Sequence, residues 1–211
     1  MAISPPHPDN PPAAGSPAYF DTMFADNDDP WGFRSRWYEE RKRDLTLASL
    51  PRQRYGSAYE PGCANGELSA ALAMRCDQLL VSDGARQAVL LARQRLQALS
   101  HVTVLQTWLP AGWPAQQFDL VVLSEIGYFL SPAALDDLIA KTRASLRPGG
   151  TVLACHWRNP IDGCALDGNA VQHRIGKSLH MAQLSSTTDA DFLLDVWCLD
   201  GQSVAQAEHI A

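Results

Sequence analysis

Glu60, Gly62, Gly66 and Asp83 are the residues whose types and spacing first point to chemistry. They lie in Ser57-Ala-Tyr-Glu-Pro-Gly-Cys-Ala-Asn-Gly66 and, a helix length later, in Leu79-Leu-Val-Ser-Asp83. This reads as a strand over about Ala58–Pro61, a glycine turn, a helix from near Gly66, and a second strand ending at Asp83. Gly62 and Gly66 put no side chain on the turn, so a ligand can approach the backbone. Glu60 and Asp83 stand at the carboxyl ends of their strands, the edge where open α/β sheets bind ligands. The dinucleotide fingerprint Gly-x-Gly-x-x-Gly is absent, because only Gly62 and Gly66 stand, with three residues between them.

The elements that must position these residues follow from periodicity. Leu68, Ala71, Leu72 and Met74 share a helical face suited to lying on a sheet. A second helix spans Ala85 to Ser100, with Val89, Leu90, Ala92, Leu96 and Leu99 at helical spacing. Val102–Leu105 is a short buried strand, followed by a turn-rich loop from Trp108 to Pro114. Phe118-Asp-Leu-Val-Val-Leu-Ser124 is nearly continuous in apolar residues, the mark of a parallel strand buried on both faces. Ser131 caps a helix begun by Pro132 and running to Leu146, ended by Arg147-Pro-Gly-Gly150. Thr151–Trp157 is the next strand. A helix between Asn169 and Met181 precedes two strands, about Ala182–Thr188 and Asp191–Leu199, whose short link requires an antiparallel hairpin. The expected architecture is α/β and Rossmann-like. It has a seven-stranded, mostly parallel sheet with one antiparallel strand, and helices on both faces.

The chain divides into a proline-rich leader over 1–17, lid helices over 18–51, a main domain over 52–200 and a tail over 201–211. The leader cannot bury enough apolar surface to offset its ordering entropy and is expected to be disordered. In the lid segment, Asp28-Asp-Pro-Trp31 reads as a turn. A helix follows from Arg36 to Leu50, closed by Pro51. Trp31 beside this aromatic and basic helix is what a lid over a small charged cofactor would look like.

Length and composition narrow the classes. A chain of 211 residues, 46% apolar, suits one globular domain plus tails. No run is apolar for long enough to span a membrane, and the N-terminus has neither the basic start nor the apolar core of a secretory signal. A formal net charge of −6, with basic residues scattered apart from Arg41-Lys-Arg43, argues against nucleic acid as the partner. Five cysteines without a Cys-x-x-Cys pair fit reduced thiols in the cytoplasm, and no metal site is legible.

The form Glu60-x-Gly62-x-x-x-Gly66, with an acid at Asp83, resembles motif I of class I S-adenosylmethionine (SAM) methyltransferases. Phe118-Asp119 and Leu146-Arg-Pro-Gly-Gly150 resemble further pieces of that superfamily. Within it, Asp29-Pro-Trp31 with the Tyr38-Glu39 helix, Glu60-x-Gly-Cys63-Ala-x-Gly66, and Phe118-Asp-Leu-Val-Val-x-x-Glu125-Ile-x-Tyr128-x-Leu130 are similar to the nodulation S (NodS) methyltransferases. Resemblance covers nearly the whole chain after Pro17. It implies SAM as cofactor, with Asp83 accepting from the ribose hydroxyls and Gly62 lining the methionine portion. Glu60, Cys63, Gly66, Ser124 and Glu125 are implied to be part of the same site, with Thr107 and Trp108 near adenine. That last position departs from the many members that carry an acid there. By position in the family pattern Lys42 meets the cofactor carboxylate, with Arg41 or Arg43 as substitutes, while Trp31 and Tyr38 close over the methionine chain.

The family N-methylates the free amine of a deacetylated chitooligosaccharide, and related domains accompany sugar-amide deacetylases. The resemblance therefore implies a small-molecule or amino-sugar acceptor and a deacetylase as functional partner. A small-molecule O- or N-methyltransferase of natural-product type, or a SAM-binding module without turnover, fits the same motif. An amine attacks only when neutral, so a carboxylate or imidazole should hold or remove its proton. Glu125, at the end of the fourth strand, is the expected group. His156, at the end of the adjacent fifth strand, is the second. Tyr128, Trp157, Trp113 and Trp37 are candidate platforms for sugar faces.

Overall fold

The computed structural model describes residues 12–25 and 27–210. Residues 1–11 of the proline-rich leader lie outside the described residues. The last leader residue, Pro17, opens a helix. Ser16 accepts a hydrogen bond from the Tyr19 N–H (3.2 Å), and Pro17 takes the first position of α1 (Pro17–Ala25). The same Ser-Pro signal starts α5 (Pro132–Ala144), where Ser131 accepts from the Ala134 N–H.

Seven strands form one sheet in the order β3-β2-β1-β4-β5-β7-β6. They are β1 (Tyr55–Pro61), β2 (Cys76–Asp83), β3 (Val102–Gln106), β4 (Phe118–Ser124), β5 (Leu146–Trp157), β6 (Ala182–Thr188) and β7 (Phe192–Cys198). The first five are mutually parallel, and β7 is antiparallel to both of its neighbours. Strand order reverses between β1 and β4, so their carboxyl ends open a crevice at a topological switch point. One face carries Leu120, Val122, Leu153 and Leu194, packed with Leu72 of α3 (Glu67–Ala73) and Ala92 of α4 (Arg86–Leu96). The other carries Val121, Leu123 and Val152, packed with Leu138 and Ile139 of α5 and Val171 and Ile175 of α6 (Gly168–Leu179). Burial on both faces explains the nearly continuous apolar run in β4.

Several boundaries differ from the sequence reading, among them the helix expected to reach Ser100, which ends at Leu96. β1 begins at Tyr55, because pairing with β2 extends back to Cys76. α5 ends at Ala144, and Arg147-Pro-Gly-Gly150 lies inside β5 rather than before it. Leu146 pairs with Phe118, the register then shifts, and pairing resumes at Thr151 with Leu120. The tail contains a short helix, α7 (Val204–Ala207), held by a capping box between Ser203 and Gln206.

The N-terminal segment lies over the crevice. α1 packs Phe24 against Ala85, Ala88 and Leu91 at the start of α4, with Phe20 and Trp31 beside them. α2 (Trp37–Ala48) buries Glu39, Lys42 and Thr46 most deeply, while Tyr38, Leu45 and Leu47 pack on the core beside them, so its inward face is partly polar. That pattern is not one that apolar periodicity reveals. Among the described residues no helix is long and apolar enough to cross a membrane, and no group of three or more His, Cys, Asp or Glu is arranged to hold a metal ion. The five cysteines are free.

Candidate active site

A cavity of about 510 Å³ opens at the carboxyl edge of β1, β2 and β4, beneath α1 and α2. Its size is that of a pocket for a drug-sized ligand. Gly62, Asp83, Thr107, Trp108, Ser124 and Glu125 line it from the sheet side, and Trp31, Tyr38 and Lys42 from the lid side. These nine expected residues are thus brought together by the fold.

Asp83 ends β2 and ties down two turns. Its Oδ2 accepts from the Ala64 N–H (3.0 Å) and its Oδ1 from the Ala85 N–H (2.9 Å). Burial pushes its carboxyl above the usual range, against the pull of these backbone donors. Gly62 sits at φ +75°, and a Cβ there would come within 2.2 Å of Ile126 Cγ2. The glycine therefore permits both the turn and the close passage of the loop after β4. Trp108 lies against the Gly84 backbone, where a Cβ would meet the indole at 2.3 Å.

Gly66 does something other than expected. It is left-handed (φ +84°) and its missing Cβ faces α4, 3.2 Å from Ala92 Cα, so it serves helix packing rather than ligand approach. Glu60 and Cys63 lie behind the turn and line an adjoining pocket of about 70 Å³ with Asn65, Ser124 and Glu125. Burial pushes the Glu60 carboxyl up to about 8. Glu60 Oε2 and Asn65 Oδ1 are buried acceptors without a hydrogen-bond partner among the described residues, as is the Tyr38 hydroxyl.

The charged centre joins α2 to the loop after β4. Lys42 Nζ lies 2.7 Å from Glu125 Oε1 and 3.1 Å from Glu39 Oε2. Glu125 Oε2 accepts from the Tyr128 hydroxyl and from the Trp157 N–H (3.0 Å). Glu125 itself holds φ +58°, a left-handed backbone uncommon outside glycine. Burial alone would raise its carboxyl, but the Lys42 ammonium holds it below the usual carboxylate range. Burial likewise disfavours the Lys42 charge, yet Glu125 and then Glu39 outweigh it and raise the ammonium's pKa. Two carboxylates thus share one ammonium, and the centre is net anionic. The fold gives Lys42 these two protein partners, so at most one of its three N–H donors remains for a ligand carboxylate.

Several expectations need correction. His156 is fully buried and lines neither pocket. Its side chain points to the α6 face of the sheet, bonded to Gln172 and to the Gly127 N–H, so it does not meet an acceptor. The alternation of β5 puts it on the opposite face from Cys155 and Trp157. Arg41 is paired with Asp189 at 2.8 Å, away from the cavity. Arg43 lines only the small pocket. Of the aromatic candidates, Tyr128 and Trp157 line the cavity, whereas Trp37 is exposed on the outer face of α2 and Trp113 packs on Tyr59.

The structure also gives roles to residues that the sequence reading did not place in the site. Asp29 accepts from the Phe33 and Arg34 N–H groups (2.8 and 3.0 Å) and from Asn65 Nδ2 (3.0 Å), stapling the lid turn to the glycine loop. Arg36 is a further cation at the cavity. Tyr19, Phe20 and Phe129 form an aromatic wall, with Phe20 and Phe129 rings 5.0 Å apart.

The residues present fit a sulfonium nucleoside amino acid. Each Asp83 oxygen holds one backbone donor and keeps acceptor capacity for a ribose diol. The unpartnered Glu60 and Asn65 oxygens are acceptors suited to an ammonium group. Acids outnumber bases at the centre, which favours a cationic ligand.

Comparison with known proteins gives a consistent picture. The chain matches the family model for nodulation protein S (NodS) over residues 22–197. Nodulation protein S of Sinorhizobium fredii is 29% identical over 164 residues, covering 76% of this chain and 72% of that protein. The crystal structure of a candidate methyltransferase from Pseudomonas syringae is 53% identical with a TM-score of 0.70, over 77% of this chain and 99% of the other. The crystal structure of N-methyltransferase NodS from Bradyrhizobium japonicum, in complex with S-adenosylhomocysteine (SAH), is 25% identical with a TM-score of 0.76, over 85% and 95% of the two chains.

Proposed function

The chain belongs to the nodulation protein S family and is a SAM-dependent methyltransferase, and on that premise we propose that it methylates an amine nitrogen on a polar, amino-sugar-like acceptor. The observation that carries this reading is the anionic Glu39–Lys42–Glu125 centre on the cavity wall, with the Tyr128 hydroxyl bonded to Glu125.

When bound, the cofactor supplies a methyl group already activated by its sulfonium, so the protein's work is alignment and exclusion of water. Asp83 would hold the ribose, Gly62 the methionine chain, and Glu60 with Asn65 the ammonium. Trp108 would cover the base, while Trp31 and Tyr38 would close the lid.

Glu125 is suited to hold an N–H rather than to remove a proton. A carboxylate offers about four acceptor positions, and Lys42, Tyr128 and Trp157 take three of them. The remaining position can orient the acceptor nitrogen. Its depressed pKa makes it a weak base. It keeps full negative charge beside a nitrogen that becomes cationic as the methyl arrives, which is stabilisation of developing charge by a preorganised group. The neutral amine is then supplied by its own ionisation in solution.

A second reading, an amine of natural-product type with an apolar arm, is favoured by the Tyr19–Phe20–Phe129 wall. The deciding assay incubates labelled SAM with deacetylated and fully acetylated chitooligosaccharides. Label on the deacetylated form alone supports the amino-sugar reading. Equal labelling of both, or labelling of neither while an apolar amine or phenol is methylated, would end it. A sugar-amide deacetylase would be the functional partner, since it is the class of enzyme that exposes such an amine.

A further inference from the structure

We infer that His156 is a positioning residue, held as its Nδ1–H tautomer by Asp195 through Gln172, and that its bare Nε2 fixes the turn carrying Glu125 and Tyr128. This rests on the role proposed for Glu125 at the acceptor. His156 was expected to act on the acceptor itself, and its burial excludes that.

Asp195 of β7 accepts from Gln172 Nε2 at its Oδ2 (2.7 Å) and from Gln183 Nε2 at its Oδ1 (2.8 Å). Gln172 Nε2 also donates to the Ala154 carbonyl (3.2 Å). Both of those partners only accept, so the Gln172 amide cannot be turned the other way without placing its oxygen against a carboxylate and a carbonyl. Its Oε1 is thereby left facing His156 Nδ1 at 2.9 Å, and the ring nitrogen must donate. The proton on Nδ1 leaves Nε2 with its lone pair, and that lone pair accepts from the Gly127 N–H at 3.2 Å. A proton at Nε2 would set donor against donor in a buried site.

Gly127 lies in the turn between Glu125 of the charged centre and Tyr128, whose hydroxyl bonds to it. A Cβ on it would lie 3.0 Å from His156 Nε2 and 2.3 Å from Val171 Cγ1, so the backbone is pressed onto the histidine and α6. The turn begins with the left-handed Glu125, a conformation that persists only where the surroundings over-determine it. The Glu125 N–H is anchored to the Cys155 carbonyl (2.9 Å), and the histidine supplies the next anchor along the turn. The titratable groups facing His156 are Glu125 and Tyr128 on that turn and Asp195 behind Gln172, with Lys42 acting through Glu125. Burial, the largest influence, disfavours the imidazolium.

The test has one arm that needs no acceptor. Ring ¹⁵N NMR of the wild-type protein at pH 7 should show His156 with a protonated Nδ1 and a bare Nε2. The Nε2–H tautomer or an imidazolium would overturn the assignment. The kinetic arm uses the amine that the wild type methylates. His156→Phe keeps the bulk and removes the acceptor, and misplacement of Glu125 should lower kcat by about 100-fold. Dissociation of SAH should change less than about threefold, since Asp83 and Gly62 are untouched. His156→Gln can present an oxygen near the Nε2 position and should recover to within about tenfold of wild type. Equal impairment of the Phe and Gln variants, or unaltered kcat in the Phe variant, would overturn the positioning role. If the Phe variant does not fold, Gln172→Met breaks the relay one residue further back and should lower kcat with the tautomer mixed. Wild-type kcat in that variant would count against the relay. A wild-type enzyme that methylates no amine would sink the acceptor reading and leave the ring assignment standing. Turnover with the wrong tautomer would sink this inference alone.

Discussion

Lys42 Nζ lies 2.7 Å from Glu125 Oε1, joining residues 83 positions apart in the chain. One belongs to the lid helix and the other to the loop after the fourth strand, so the contact ties cover to floor. Lys42→Met would leave Glu125 and Glu39 without their cation. The expected cost is about 2–4 kcal/mol, at or below the range for a fully buried pair because the Glu125 side chain keeps 19% exposure. The pH dependence follows from the two shifts. Glu125 is depressed, so its contribution is present above the ordinary carboxyl value and lost as pH falls through its folded value. Lys42 is raised, so its contribution is present below the ordinary lysine value and lost as pH rises through the folded one. Melting temperatures of wild type and variant should differ most between about pH 5 and 10 and converge at both extremes. A constant difference across that range would show that the ion pair is not the source.

Glu125→Gln tests the transition-state role. The amide keeps the shape, loses the charge and sets an NH₂ group among donors. Turnover should fall by about 10²–10³-fold, with cofactor affinity little altered. In the wild type, kcat/KM should rise with pH through the acceptor amine's pKa and then level off, with no inflection near neutrality from His156. A fall in cofactor affinity as large as the fall in kcat would place Glu125 in cofactor binding instead.

Asp83→Asn removes one charge-assisted acceptor from the ribose site proposed above. Cofactor binding should weaken by about 1.5–3 kcal/mol in calorimetry. The variant should also melt lower without ligand, because the Ala64 and Ala85 N–H groups then share one oxygen in place of two. Unchanged affinity would put Asp83 outside the site.

Glu60 should make the ligand-free protein less stable as pH rises. Its folded carboxyl is pushed from 4.5 up to about 8 by burial, so the unfolded chain releases this proton first. Between those values the folded state binds more protons than the unfolded one, and stability falls with increasing pH. Glu60→Gln removes the titration. It should match wild type near pH 4.5 and melt several degrees higher above pH 8. Parallel melting curves at all pH values would refute the shift.

The strand–turn–helix at Glu60–Asp83 was legible in the sequence because each of its signals is local. Apolar runs mark strands buried on both faces, Gly62 marks a left-handed turn, and Ser131-Pro132 marks a helix start. Asp83 could be placed at the ligand edge because parallel strands joined by a helix bring their carboxyl ends together. The antiparallel hairpin of β6 and β7 followed from a link too short for a crossover. Side-chain partners across the fold were a different matter. Nothing near Lys42 specifies Glu125, and α2 conceals its inward face because its most buried residues are polar. His156 and Trp157 are neighbours in sequence, yet the pleat sends one into the α6 side and the other to the cavity. Gly66 looked like a ligand glycine, and only its packing on Ala92 reveals the helix contact it serves. Periodicity determines which residues share a face, whereas hydrogen bonds between distant elements depend on how those faces are brought together. The sequence by itself therefore determined the sheet and the place of its ligand edge. The tertiary structure decided which acid is paired, which histidine is buried and which glycine makes room for a helix.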